Sequence, residues 1–278
     1  MTESLLAPAS PARSGWRSGA GVFLREILNG IWPLLTLGLL WWVAFQLLPR
    51  NTFLKSPTDV IGFLTQDGNV VELLDALSGS LGLVALGYVV ALCVAITLAS
   101  AIVLSPWMER AVMPLAVIVG SIPIIVITPV MLMLFGRGIG TSVIVCTIVT
   151  FFPCLVNIIA GMRSPGRQLI DLTRTLGASR YATLLKVRFP SAVPGLISAS
   201  KLALPAALSG VILTEFIATG TGIGNYINHG RANFRFNEMW AGISATLVAS
   251  VLLYSLLAAL EIILSRRYTA QSSGAGGE

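Results

Sequence analysis

Few side chains in this 278-residue sequence are equipped for chemistry, and most of those stand inside or beside long apolar runs. Lys201, Glu215 and Glu261 lie within or at the ends of such runs, where a charge is costly and normally faces protein or water. Lys201 follows Pro194 by seven residues, about 10 Å along a helix, so its ammonium is expected to reach back to the near headgroups. Glu215 could pair with Arg137 or line an outer opening, and both alternatives stand open; Glu261, close to Arg266 and Arg267, is read as interfacial. His229 is the lone histidine and is expected to be a plain outer-loop residue. Cys93, Cys146 and Cys154 lack CxxC spacing and neighbouring histidines, so neither a disulfide framework nor a metal site is expected, and no cofactor. The glycine rhythm GTGIGN, Gly220 to Asn225, follows an apolar helix rather than a strand and is read as an outer turn; no GxxxxGK[ST] loop that could cradle phosphates occurs.

The elements that must position these groups are set by composition. The chain is 55% hydrophobic and 11% charged, with a mean hydropathy of +0.85, where a soluble domain carries about 25% charged residues. Six apolar segments stand out: Ile31 to Leu48, Leu81 to Leu104, Ala111 to Phe135, Thr141 to Ala160, Val193 to Thr219 and Met239 to Leu264. Each approaches the roughly 20 residues a helix needs to cross a bilayer. The runs are continuous where barrel strands would alternate, so the fold expected is all-α, a polytopic membrane protein of six transmembrane helices over residues 26–268. Tails at 1–25 and 269–278 are polar or small-residue-rich and are expected to be disordered.

Charge sets the expected orientation. Twelve Lys and Arg fall on one side: Arg13, Arg17, Arg25, Arg110, Arg163, Arg167, Arg174, Arg180, Lys186, Arg188, Arg266 and Arg267. Five fall on the other: Arg50, Lys55, Arg137, Arg231 and Arg235. Both termini are therefore expected in the cytoplasm of a bacterial plasma membrane. The net charge of +6 is read as a topology signal, because the basic residues are not interleaved with exposed aromatics, and no nucleic-acid partner is expected. Trp41, Trp42, Trp107 and Trp240 fall near span ends, as interfacial tryptophans do.

Prolines interrupt several spans: Pro114, Pro123 and Pro129 in the third, Pro153 in the fourth, Pro194 and Pro205 in the fifth. Broken helices are tolerated where protein or water satisfies the freed carbonyls. Three breaks beside Gly136, Gly138 and Gly140 favour a solute path over simple kinks, and Ser121, Pro123, Thr128, Met131, Ser209, Thr214 and Glu215 are its expected lining. An ion-coupled secondary transporter, the alternative reading, would ordinarily show internal repeats or acids deep in the spans.

The loop over residues 163–190 is longer than a plain connection needs. Leu169, Leu172 and Leu176, then Leu184, Leu185 and Val187, are spaced as two short amphipathic helices about Gly177. Asp171 is expected early in the first, where a negative charge suits the helix dipole; Leu172 and Leu176 would form an apolar knob, with Arg174 and Arg180 on its rim.

This loop resembles the EAA loop of bacterial ABC-importer permeases: an EAA triplet, three residues, Gly, nine residues, Ile, one residue and Leu-Pro. Asp171, Leu172 and Thr173 occupy the triplet, keeping the acid and losing both alanines; Gly177 takes the glycine, Val187 the isoleucine, and Phe189 with Pro190 the final pair. The stretches Ser121 to Gly140 and Leu204 to Ile227 look like the subgroup that imports nitrate, sulfonates, taurine and pyrimidine-type vitamin precursors. The resemblance implies a type I permease bundle, active as two copies, with two cytoplasmic ATPases on the loops and a soluble binding protein outside. It implies coupling to the ATPase through Asp171, Leu172, Thr173, Arg174, Leu176, Gly177, Ala178, Arg180 and Pro190. The chain would transport, by alternating access, without an ATPase site of its own.

Overall fold

A computed structural model describes residues 19–48, 53–66 and 68–273, with side chains from 32 to 263 among these except Thr219. Its order is α1 (Gly19–Leu47), α2 (Pro57–Leu64), α3 (Asn69–Leu104), α4 (Pro106–Ser121), α5 (Ile124–Phe135), α6 (Ile139–Arg163), α7 (Arg167–Thr175), α8 (Arg180–Thr183), α9 (Phe189–Thr214), α10 (Gly222–Ala232) and α11 (Phe236–Ser273). Among the described residues every regular element is helical, as continuous apolar runs require. Residues 1–18 and 274–278, with Arg13, Arg17 and Arg50, lie outside the described residues, as do the side chains of Arg25, Arg266 and Arg267. Helix α1 begins at Gly19 and α11 ends at Ser273. Both helices thus run past the expected tail limits at 25 and 269.

Among the described residues four helices are long and apolar enough to cross a membrane, and five if the bent pair α4–α5 counts as one span. In α1 the described apolar part, Trp32–Leu47, is shorter than the roughly 20 residues of a full crossing.

Helix α6 is the centre of the bundle, packed between α3 and α9. Small residues allow the close approach. On α3 the buried positions Ser80, Val84, Gly87, Ala91, Ala95 and Ala99 repeat every three or four residues, placing them on one face. A Cβ at Gly87 would lie 2.6 Å from the Cys146 side chain, and one at Gly161 would lie 2.6 Å from the Ala192 Cα. Lipid offers helices no hydrophobic reason to associate, so close van der Waals packing of this kind holds the pairs together. Cys146 and Cys154 are fully buried packing residues, whereas Cys93 is exposed.

The third expected span is broken, with α4 and α5 meeting at 100°. Ile122 is extended (φ −76°, ψ 124°) because it precedes a proline, and Pro123 itself is extended (φ −59°, ψ 133°) with no N–H to continue the ladder. Neither half alone is long enough to span.

The fifth span is the opposite case: one apolar helical stretch from Arg180 to Ala218. It absorbs two π-helical turns, Leu184–Arg188 and Glu215–Thr219. The first lies just before Pro190, which has no N–H to give the i to i−4 ladder. The expected second short amphipathic helix is thus the opening of this long rod.

At the far end, α1, α2 and α11 are tied by tryptophans. Trp41 and Trp240 stack at 5.1 Å, and their indole N–H groups donate to the carbonyls of Lys55 (2.9 Å) and Phe53 (2.8 Å). Trp42 and Trp107 remain exposed.

Candidate functional site

Helix α7 stands at the bundle end where α6 finishes, and none of its residues is buried within the chain. Leu169, Leu172 and Leu176 share one face and are 46%, 55% and 77% exposed. Its exit is a Schellman turn: Gly177 N–H donates to Arg174 C=O at 2.9 Å and Ala178 N–H to Thr173 C=O at 3.0 Å. That turn needs a left-handed residue, and Gly177 supplies it at φ +76°. Ser179 then caps the next helix by accepting from Ala182 N–H at 3.1 Å. The hydroxyls of Thr173 and Thr183 meet at 3.4 Å across the turn, closing α7 against the foot of the long rod. Arg180 is exposed and Pro190 sits within the rod.

Asp171 departs from expectation. Helix α7 starts at Arg167 and has no acid in its first turn, so Asp171 lies one turn in, beyond the useful reach of the dipole. Its carboxylate instead contacts Arg174 at 3.5 Å, an exposed pair of small energetic weight.

The expected path residues fall into two groups. Ser121, Pro123 and Ser209 are exposed and Met131 is half-buried, all on the α4–α5 break or on α9. Thr128, Thr214 and Glu215 are at most 1% exposed within the chain. The Thr128 hydroxyl donates to Ile124 C=O at 2.8 Å, and that of Thr214 donates to Ser142 Oγ at 2.9 Å.

Among the described residues Glu215 pairs with no arginine. Its carboxylate accepts from the Ser80 hydroxyl at 2.7 Å and from Gly224 N–H at 3.0 Å, while Ile223 N–H donates to Ser80 Oγ at 2.8 Å. The glycines of the expected outer turn make this possible. Residues from Gly222 form α10, and a Cβ at Gly222 would lie 2.1 Å from Glu215 Oε1, one at Gly224 2.3 Å from Ile212 C=O. Glu215 thus fastens α10 onto α3 and the end of the rod.

Further polar contacts between charged side chains lay beyond the sequence reading. Lys201 does not reach for headgroups; it pairs with Glu261 of α11, which also accepts from the Ser198 hydroxyl. Glu261 is therefore part of a link between helices. His229 is no free loop residue, since its Nδ1 lies 2.8 Å from Oε1 of buried Glu238, whose Oε2 is 2.9 Å from Arg235. Nearby, burial and the Glu238 carboxylate push the Tyr226 phenol up to about 12. Among the described residues no cluster of His, Cys, Asp and Glu could hold a metal.

Apolar helices of membrane-crossing length, one broken span and an exposed amphipathic helix at one end make this a membrane-embedded helical bundle. The chain belongs to the family described as binding-protein-dependent transport system inner membrane component, whose pattern it matches over residues 87–270. Its membership makes it a multi-pass inner-membrane permease of an ABC importer, working with an ATPase and a substrate-binding protein.

Similar proteins include the riboflavin transport system permease of Chloroflexus aurantiacus, 31% identical over 58% of this chain and 60% of that one. The formylaminopyrimidine transport permease of Halalkalibacterium halodurans is 26% identical over 83% of this chain and 92% of that one. The taurine transport permease of Escherichia coli is 26% identical over 85% and 88%. Among solved structures, a chain of the MetNI methionine ABC transporter in an inward-facing conformation shares the fold, with a TM-score of 0.57 at 19% identity, covering 70% of this chain and 94% of that one.

Proposed function

We propose that this chain imports a small solute of the oxyanion, sulfonate or heterocyclic vitamin-precursor class, the range spanned by the names of its relatives. Two copies form the working permease, two ATPases dock on the α7 ends, and the chain itself hydrolyses nothing. The α7 end faces the cytoplasm, as do both termini, in keeping with the excess of Lys and Arg there. The solute moves by alternating access along a path that Ser121, Pro123, Met131 and Ser209 help to line, where polar groups and the helix break are open at the surface.

The observation that carries this reading is the leucine face of α7. An apolar face of this size, on a helix held by a Schellman turn and covered by nothing among the described residues, suits a groove on a partner. Leu172 and Leu176 supply the knob, and Arg174 and Arg180 set its register on the polar rim. Leu172→Asp and Leu176→Asp are expected to reach the membrane normally, to lose the ATPase on purification and to abolish uptake. Normal ATPase retention and uptake in both variants would refute the coupling role; labelling of a cysteine at Ser179 from outside intact cells would refute the orientation.

A further inference from the structure

Two cavities adjoin at the α7 end. The larger, about 380 Å³, lies between the α3–α4 junction and the coupling turn, with Arg174, Arg180 and Arg188 across from Val103, Leu104 and Pro106. The smaller, about 330 Å³, continues between the end of α6 and α7, adds Arg167, and shares Ile170, Arg174 and Arg188 with the first. Both volumes fall within the range of small-ligand sites, about 300–1,000 Å³.

The charge of this trough is one-sided. Arg163 also borders it but is committed to Glu109 through two hydrogen bonds of 2.8 and 2.9 Å. The four remaining guanidinium groups share one carboxylate, that of Asp171, which touches only Arg174 and only at 3.5 Å. Forked, permanently charged donors in such number match a phosphate better than any neutral ligand.

The facing wall is aliphatic and lies at the end of a helix long and apolar enough to cross a membrane. Val103 and Leu104 close the span α3, and Trp107, one residue beyond Pro106, is 72% exposed, as suits an indole at headgroup level. Basic hollows between helices at a membrane surface hold anionic headgroups, whose acyl chains can run onto the adjoining apolar wall.

We propose that this trough binds a phosphate-bearing anion, and that the aliphatic wall selects an anionic phospholipid headgroup over free phosphate. A headgroup there would touch α7 and the α3–α4 junction together, so that lipid would brace the coupling turn from its membrane side. Assigning that lipid to the cytoplasmic leaflet rests on the orientation proposed above; binding itself does not, because both ends are accessible in detergent.

The test uses the full-length chain, delipidated in a neutral detergent. Lipids retained after addition of phosphatidylglycerol or phosphatidylcholine are counted by native mass spectrometry, and melting is followed with and without inorganic phosphate. Arg188→Gln and Arg167→Gln remove charge from the trough, and Arg110→Gln removes the same charge from this end of the molecule outside it. Phosphatidylglycerol should be retained over phosphatidylcholine, with an affinity about fivefold lower in each trough variant and unchanged in Arg110→Gln. Stabilisation by phosphate without lipid retention, lost in the trough variants, would uphold the anion site and overturn lipid as its source. No preference for phosphatidylglycerol and no effect of phosphate would overturn the proposal, as would an equal loss in Arg110→Gln. Uptake and ATPase retention are read separately, so the coupling role can fail while this site stands.

Discussion

Replacing Gly177 isolates the turn from everything it touches. A Cβ built at this position meets nothing within 4 Å, so a side chain brings no clash, and the whole effect comes from the backbone at φ +76°. A left-handed conformation costs an ordinary L-residue about 1–2 kcal/mol, more for a β-branched one, while asparagine adopts it readily. One to two kcal/mol is about a five- to thirtyfold fall in the population holding the Schellman turn, and with it the aim of Leu172 and Leu176. Gly177→Val should therefore insert normally yet lose ATPase and uptake, Gly177→Ala should fall between, and Gly177→Asn should stay near the parent. Membrane yield, ATPase co-purification and uptake, measured in one strain background, give the ranking. If valine and asparagine are equally damaging, the left-handed turn is not the cause; if valine is harmless, α7 does not need this exit.

The outer staple and the buried ion pair make two further predictions. Glu215→Ala strands the Gly224 N–H inside the bundle at a cost of about 1–3 kcal/mol, while the Ser80 hydroxyl keeps Ala76 C=O as an acceptor at 3.2 Å, so melting in detergent should fall below that of Glu215→Gln, which keeps an acceptor; equal melting would refute the staple. Lys201→Met leaves Glu261, among the described residues, with Ser198, and should cost less than the 3–5 kcal/mol of a fully buried pair because the two side chains are 21% and 26% exposed. Adding Glu261→Leu should recover most of that loss, and a double-mutant cycle on melting with no coupling would count against the pair.

What the sequence made legible was local. The spacing from Asp171 to Pro190 announces a helix, a glycine turn and a second helix because caps and turns are built from neighbours. The break at Pro123 is legible for the same reason, since proline constrains its own residue and the one before. What stayed hidden depends on distant partners. Gly220, Gly222 and Gly224 read as a turn because glycine signals freedom, whereas Gly222 and Gly224 are there to let a buried carboxylate close to a helix backbone. Lys201 and Glu261 lie on helices whose pairing the sequence does not announce, so each was assigned to water or headgroups alone. The start of α7 at Arg167, before the apolar spacing becomes evident, moved Asp171 away from the helix end where its charge would have mattered.

The continuity of the helical stretch from Arg180 to Ala218 has a mechanical side. Its 39 residues reach about 60 Å at 1.5 Å per residue. A stiff lever of that length, pivoting near its middle, turns a tilt of about 10° into about 5 Å of travel at each tip, in opposite directions. One tip carries the turn at Gly177; the other carries Glu215 and, through it, α10. The two π-helical turns sit at those tips, whereas Pro194 and Pro205 open the ladder within the shaft and mark where such a lever would flex.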